Sequence, residues 1–144
     1  MIRRAVKENI PLINDIVKEY NPSFMHQYSL DLYLDSDIYL IYVYEEDNTI
    51  KGFIICNHLY ERVEILLLFV DTKYRNLGVG KSLIEYLYNL DAEIISLEVS
   101  VENKPALHLY QKLGFKQIGI RKKYYQGIDA LIMERRIKWK MYIF

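Results

Sequence analysis

The chain has 144 residues, 51% of them hydrophobic and 26% charged, which is the size and balance of one globular domain rather than a disordered chain. Its 19 basic residues equal its 19 acidic ones, so nothing in the bulk charge argues for nucleic-acid binding. The single cysteine, Cys56, excludes an internal disulfide and fits a reducing, cytoplasmic setting. Neither a signal peptide nor a membrane-spanning run is expected.

Residues 2–6 read as a short strand. Leu12, Ile13, Ile16, Val17 and Tyr20 recur at helical spacing, with Pro11 tolerated in the first turn and Asn21-Pro22 as the stop. Leu30, Leu32 and Leu34 alternate with polar residues, which suits a strand, a short helix or a loop. Residues 38–44 and 50–60 form a hairpin around a turn at 46–49, and a further turn leads into an apolar strand at 63–70. A helix follows over about 79–89, then a strand at 94–99. Asn103 can cap a helix that carries Pro105 in its first turn and Leu107, Tyr110 and Leu113 on one side, with Gly114 closing it. Residues 115–120 and 130–136 pair as two last strands around a loop at 123–127, and a tail with Trp139 packs or frays. This order predicts one α/β (α+β) domain: a mixed, mostly antiparallel sheet of about seven strands with helices on both faces.

The stretch from Val70 to Leu83 organises the rest. A buried strand feeds a turn bearing Gly78 and Gly80, and the turn opens a helix. Such a helix N-terminus aims backbone N–H groups at one spot, which suits an anion, most naturally a phosphate. Arg75 and Lys81 add positive charge at the rim. The spacing is not that of the Walker loop, and Leu83 stands where the Rossmann fingerprint has its third glycine.

What remains, Arg75-x-x-Gly78-x-Gly80 after an apolar strand, resembles the coenzyme A loop of the GNAT superfamily of N-acetyltransferases. The segment Leu97-Glu98-Val99, then Asn103-x-x-Ala106-x-x-Leu109-Tyr110-x-x-Leu113-Gly114-Phe115, is similar to a second signature of that superfamily, and more narrowly to its ribosomal-protein-alanine (RimI) type. Arg121-x-x-Tyr124-Tyr125 followed by Asp129-Ala130-Leu131-Ile132-Met133 resembles the ending of the same group. One departure concerns the acceptor: Asn21-Pro22-Ser23-Phe24 stands where the RimI type usually carries Phe-Pro-Trp-Ser.

The resemblance implies the GNAT fold, acetyl-CoA as co-substrate and no metal. It implies that the backbone of Leu68, Phe69 and Val70 borders the acetyl and pantetheine arm, and that Arg75, Asn76, Leu77, Gly78, Val79, Gly80, Lys81 and Ser82 hold the pyrophosphate. Asn103 would bond the pantetheine arm, Glu98 would be the general base, and Tyr110 the acid that protonates the departing sulfur. Glu64 competes as base, because histone-type members keep theirs at that point of the strand. Tyr124 and Tyr125 are candidate walls of the acceptor groove. His108 lies two residues before Tyr110 and is expected to face elsewhere, while His26, His58 and Cys56 show no ligand spacing. The acceptor is expected to be a protein N-terminus, with a small amine (a polyamine or aminoglycoside) or an acyl-CoA-binding module without turnover as rivals. A monomer or homodimer without nucleic-acid or membrane partners is expected.

Overall fold

Seven strands form one sheet in the order β1-β2-β3-β4-β5-β7-β6, comprising Ile2–Arg4, Tyr39–Glu46, Thr49–Leu59, Arg62–Val70, Ile94–Ser100, Lys116–Tyr125 and Ile128–Arg136 for β1 to β7. Among the described residues four α-helices accompany them: α1 (Asn9–Val17), α2 (Leu30–Tyr33), α3 (Val79–Tyr86) and α4 (Lys104–Lys112). The computed structural model describes residues 1–21 and 28–138; the side chains of Tyr124 and Tyr125 lie outside the described set. The expected mixed, mostly antiparallel sheet is present. Only β4 and β5 run parallel; every other neighbouring pair is antiparallel.

Each face of the sheet buries its own apolar cluster. On one face α3, the turn that follows it and α4 bring Leu83, Ile84, Leu87, Leu107 and Tyr110 against Ile54, Ile95, Leu97 and Met133. On the other, α1 and α2 bring Ile13, Val17 and Leu30 against Ile41, Val43, Phe53 and Phe69. A sheet covered on both faces needs apolar side chains on both sides of its central strands, which accounts for the unbroken runs in β3 and β4.

The undecided stretch resolves as the short helix α2, with Leu30 buried and Leu32 exposed. The expected loop at 123–127 is instead a two-residue turn, Gln126-Gly127, with φ of 49° and 79°. Two successive positive φ values match the twist of a tight hairpin, so the ladder continues to Tyr125 and Ile128. Of the tail expected to pack or fray, Lys138 donates from Nζ to the Leu90 carbonyl at 3.0 Å, while residues 139–144, with Trp139, fall outside the described set, as does Pro22-Ser23-Phe24. No helix among the described residues is long and apolar enough to cross a membrane.

Ile84 is fully buried and Leu12, also helical, is 52% exposed. Ile84→Ala is expected to destabilise the fold by about 2–5 kcal/mol and Leu12→Ala by about 0.5 kcal/mol or less. Urea denaturation followed by circular dichroism checks both.

Candidate active site

The parallel pairing of β4 with β5 runs from Arg62↔Ile94 to Ile65↔Leu97 and stops there, although both strands continue. At the same point β4 carries an extra residue. Cys56 pairs with Ile65 and Ile55 with Leu67, so Leu66 has no partner on β3. Beyond this bulge the two strands no longer pair, which leaves an opening in the ladder between them.

The bulge also decides which residues look where. Val63 and Ile65 face α3 and α4; after Leu66 the alternation resumes with Leu68 and Val70 on that face, and Phe69 is buried with α1 on the other. The Asp71 N–H donates to the Lys51 carbonyl at 2.9 Å. Strand alternation then turns the Phe69 N–H toward β3 and those of Leu68 and Val70 into the opening. Of the three expected backbone positions, two therefore border the opening. The Val70 carbonyl, on the same side, accepts from Nε of Arg75 at 3.1 Å.

On the α3/α4 face the opening leads into a cleft of about 720 Å³ lined by Leu68, Val70, the loop around Gly78, and α4 residues including Tyr110. The loop presents free backbone N–H groups. Asn76 (φ 63°) and Gly78 (φ 83°) flank Leu77, so the backbone turns its N–H groups outward. Gly78 is the N-cap of α3, and no side chain caps the helix. The first bond across this turn is Ser82 N–H to the Gly78 carbonyl at 3.0 Å, which leaves the N–H groups of Val79, Gly80 and Lys81 without an intrahelical acceptor. Arg75, Asn76, Val79, Gly80, Lys81 and Asn103 also line the cleft. Leu77 is exposed at the loop tip and is not part of the cleft wall. Ser82 is likewise outside the wall, one turn into α3. A Cβ at Gly80 would make ordinary contacts, 3.4–3.6 Å from Leu109, Leu68 and Val70, so the first turn of α3 packs directly on these side chains.

Tyr110 is held from both ends of α4. Asn103 Oδ1 accepts from the Ala106 N–H at 3.3 Å, which leaves its Nδ2 group as a free donor beside the cleft. At the other end Phe115 N–H donates to the Tyr110 carbonyl and Gly114 N–H to that of Gln111. The Tyr110 and Phe115 rings meet at 5.8 Å. This is the Schellman closure with its apolar contact. Tyr110 is 7% exposed, and burial pushes its phenol up to about 12. His108, expected to face elsewhere, lies on the cleft rim.

Glu98 lies on the opposite face. Ile95, Leu97 and Val99 point toward α3 and α4, so Ser96 and Glu98 point away from the cleft. Glu64 pairs with Ser96 and shares that face; Asn57 Nδ2 donates to its carboxylate at 3.2 Å. Both carboxylates thus flank the opening on the side away from the cleft. The Tyr124 and Tyr125 side chains lie outside the described set. Among the described residues no cluster of three metal-ligating side chains occurs. Cys56 is buried in the α3/α4 cluster, and burial pushes its thiol up to about 12.

Sequence reasoning missed three contributors. Tyr74 forms a cleft wall and is covered by Lys51, whose Nζ lies 4.9 Å from the ring centroid. Arg121 was visible only as one letter of the terminal motif, yet it bonds Glu98. Gly52, on β3, has no motif at all. A Cβ there would lie 2.7 Å from the Phe69 carbonyl and 3.0 Å from a Val79 methyl, so its absence lets the start of α3 dock on the sheet.

The sequence model of the acetyltransferase (GNAT) family matches residues 10–115. An N-alpha-acetyltransferase of Sulfurisphaera tokodaii is 39% identical over 83 residues, covering 52% of this chain and 48% of that protein. A [ribosomal protein bS18]-alanine N-acetyltransferase of Haemophilus ducreyi is 41% identical over 96 residues, 64% of this chain and 66% of that one. The chain thus spans about half to two-thirds of the length of these curated relatives. The crystal structure of the ribosomal-protein-S18-alanine N-acetyltransferase from Escherichia coli superposes with a TM-score of 0.83 over 99% of both chains at 23% identity, a likeness of fold.

Gly52→Ala is expected to push Val79 and the first turn of α3 off the sheet and to weaken coenzyme A binding by about tenfold, a cost near 1.4 kcal/mol. Titration calorimetry with coenzyme A checks this.

Proposed function

Because this chain belongs to the acetyltransferase (GNAT) family, we propose that it transfers an acetyl group from acetyl-CoA to the α-amine of a protein N-terminus. The observation that carries the reading is the opening between β4 and β5, with an anion cradle and Tyr110 on one side and Glu98 and Glu64 on the other. A thioester lying in the cleft, its phosphates on the Gly78 loop, reaches an acceptor on the far face only through that opening. The relatives' names, an N-alpha-acetyltransferase and a bS18-alanine N-acetyltransferase, support the same acceptor class.

The chain's residues divide the work. The Leu68 and Val70 N–H groups polarise the thioester carbonyl. Glu98, directly or through a water, takes the proton of the incoming ammonium. The amine nitrogen bonds the acetyl carbon and gives up its second proton to solvent, the C–S bond breaks, and Tyr110 donates to the sulfur and regains its proton from solvent. The sum is an amide, coenzyme A thiol and one released proton. With a phenol at about 12 and a thiol near 8.5, full transfer to a free thiolate is uphill by roughly 5 kcal/mol. Tyr110 therefore acts first as a hydrogen-bond donor while charge builds on sulfur, and its proton moves as the bond breaks. Cys56, buried and held as a thiol, supports direct transfer without an acetyl-enzyme.

A magnitude favours this acceptor class. Neutralising an α-amine of pKa about 7.7–8.0 at pH 7 costs roughly 1–1.4 kcal/mol, a lysine amine roughly 4.6. One partly exposed carboxylate meets the first cost far more easily.

The test is coenzyme A release from acetyl-CoA with short peptides bearing N-terminal Ala, Ser, Met or Gly, beside spermidine and an aminoglycoside. Turnover with the Ala or Ser peptides is expected, with kcat lowered about 10²-fold or more by Glu98→Gln and by Tyr110→Phe. Turnover with the small amines alone would replace the acceptor class; binding without any turnover would leave a non-catalytic module.

A further inference from the structure

Glu98 does not stand alone on its face of the sheet. Both of its carboxylate oxygens lie within hydrogen-bond distance of Nη1 of Arg121, at 3.2 and 2.9 Å. Arg121 comes from the edge strand β6, where it pairs with Ala130, which in turn pairs with Ser100 of β5. The guanidinium therefore leans across β7 to reach Glu98. The Glu98 side chain is 26% exposed and that of Arg121 54%, so the pair contributes little to stability.

The other charged groups on this face have partners of their own. Glu64 of β4 is bonded by Asn57 of β3. Arg62 of β4 pairs with Glu134 of β7 at 3.3 Å. From the helical layer, Tyr28 makes a long 3.5 Å contact through its hydroxyl to the Leu66 carbonyl. Arg121 is the cation that meets Glu98.

A bare carboxylate beside the acceptor would bind the ammonium form and hold it there, because an opposite charge favours the protonated amine. The ammonium cannot attack. A guanidinium already seated on the carboxylate removes that trap, and as a like charge it disfavours the ammonium. We propose that Arg121 is a positioning residue that aims the Glu98 carboxylate and keeps the bound acceptor as a neutral amine. The proposal rests on the reading of Glu98 as the base. It deepens that reading by making the edge strand β6 part of the proton step.

The test uses the full chain, saturating acetyl-CoA and a peptide with N-terminal Ala. The pH dependence of kcat is compared for wild type, Arg121→Gln and Arg121→Lys. Arg121→Gln is expected to move the rising limb of kcat upward by about one pH unit, a roughly tenfold loss at pH 7 that closes at high pH. Arg121→Lys restores most of the limb, and KM for acetyl-CoA stays unchanged in both variants. A loss by Arg121→Gln that is equal at every pH, or no loss at all, overturns the proposal. So does failure of Arg121→Lys to restore the limb. Glu98→Gln separates the two readings. If it is inactive while Arg121→Gln matches wild type, only the role of Arg121 falls. If Glu98→Gln retains full turnover, the base reading falls and takes the aiming of Glu98 with it.

Discussion

The structure depends on a place where two parallel strands stop pairing. Up to Ile65 and Leu97, β4 and β5 satisfy each other's backbone groups. Beyond that point they cannot, because Leu66 adds a residue to β4. Unpaired backbone N–H groups inside a sheet are costly unless something else accepts from them. Here they line an opening next to a cleft, and in the proposed reaction the thioester carbonyl takes the place of the missing strand. The bulge thus creates the vacancy and also selects Leu68 and Val70, not Phe69, as the residues that face it.

The helices on the cleft side are anchored to keep that vacancy open. The start of α3 lies close over β3 because Gly52 has no side chain. Its N-terminus is left without a side-chain cap, so its free N–H groups and the positive end of its dipole face the cleft. By contrast α4 is closed at both ends, by Asn103 at the start and by the Phe115 and Gly114 N–H groups at the end. One helix is closed at both ends and holds a tyrosine still; the other leaves its first N–H groups uncapped beside the cleft. That contrast is a division of labour between two neighbouring helices of similar length.

The sheet also separates two chemical environments. The α3/α4 face is apolar around Tyr110 and Cys56, and burial pushes both groups up to about 12. The opposite face at the same level carries Glu64, Glu98, Arg62, Arg121 and Glu134. In the proposed reaction the thioester comes from the first environment and the amine from the second. Protons are then handled at opposite ends of the reacting bond by groups that never touch each other.

Much of this was legible in the chain itself. Helical spacing, the Asn103 cap and Gly114, and the apolar runs determine the elements and their order, because those choices rest on local backbone and burial preferences. The loop from Arg75 to Lys81 and the segment from Glu98 to Phe115 carry enough local pattern to point to an anion site, a tyrosine and a carboxylate. The bulge at Leu66 was not legible, since an extra residue in an apolar run leaves the composition of the strand unchanged. Counting by alternation alone therefore cannot choose between Phe69 and its neighbours. Gly52 and Tyr74 were hidden because their importance lies in what stands opposite them across the sheet. Only the tertiary structure brings Arg121 to Glu98, 23 positions earlier. Such a pairing is set by the order of β5, β7 and β6, and no local preference of either residue encodes it.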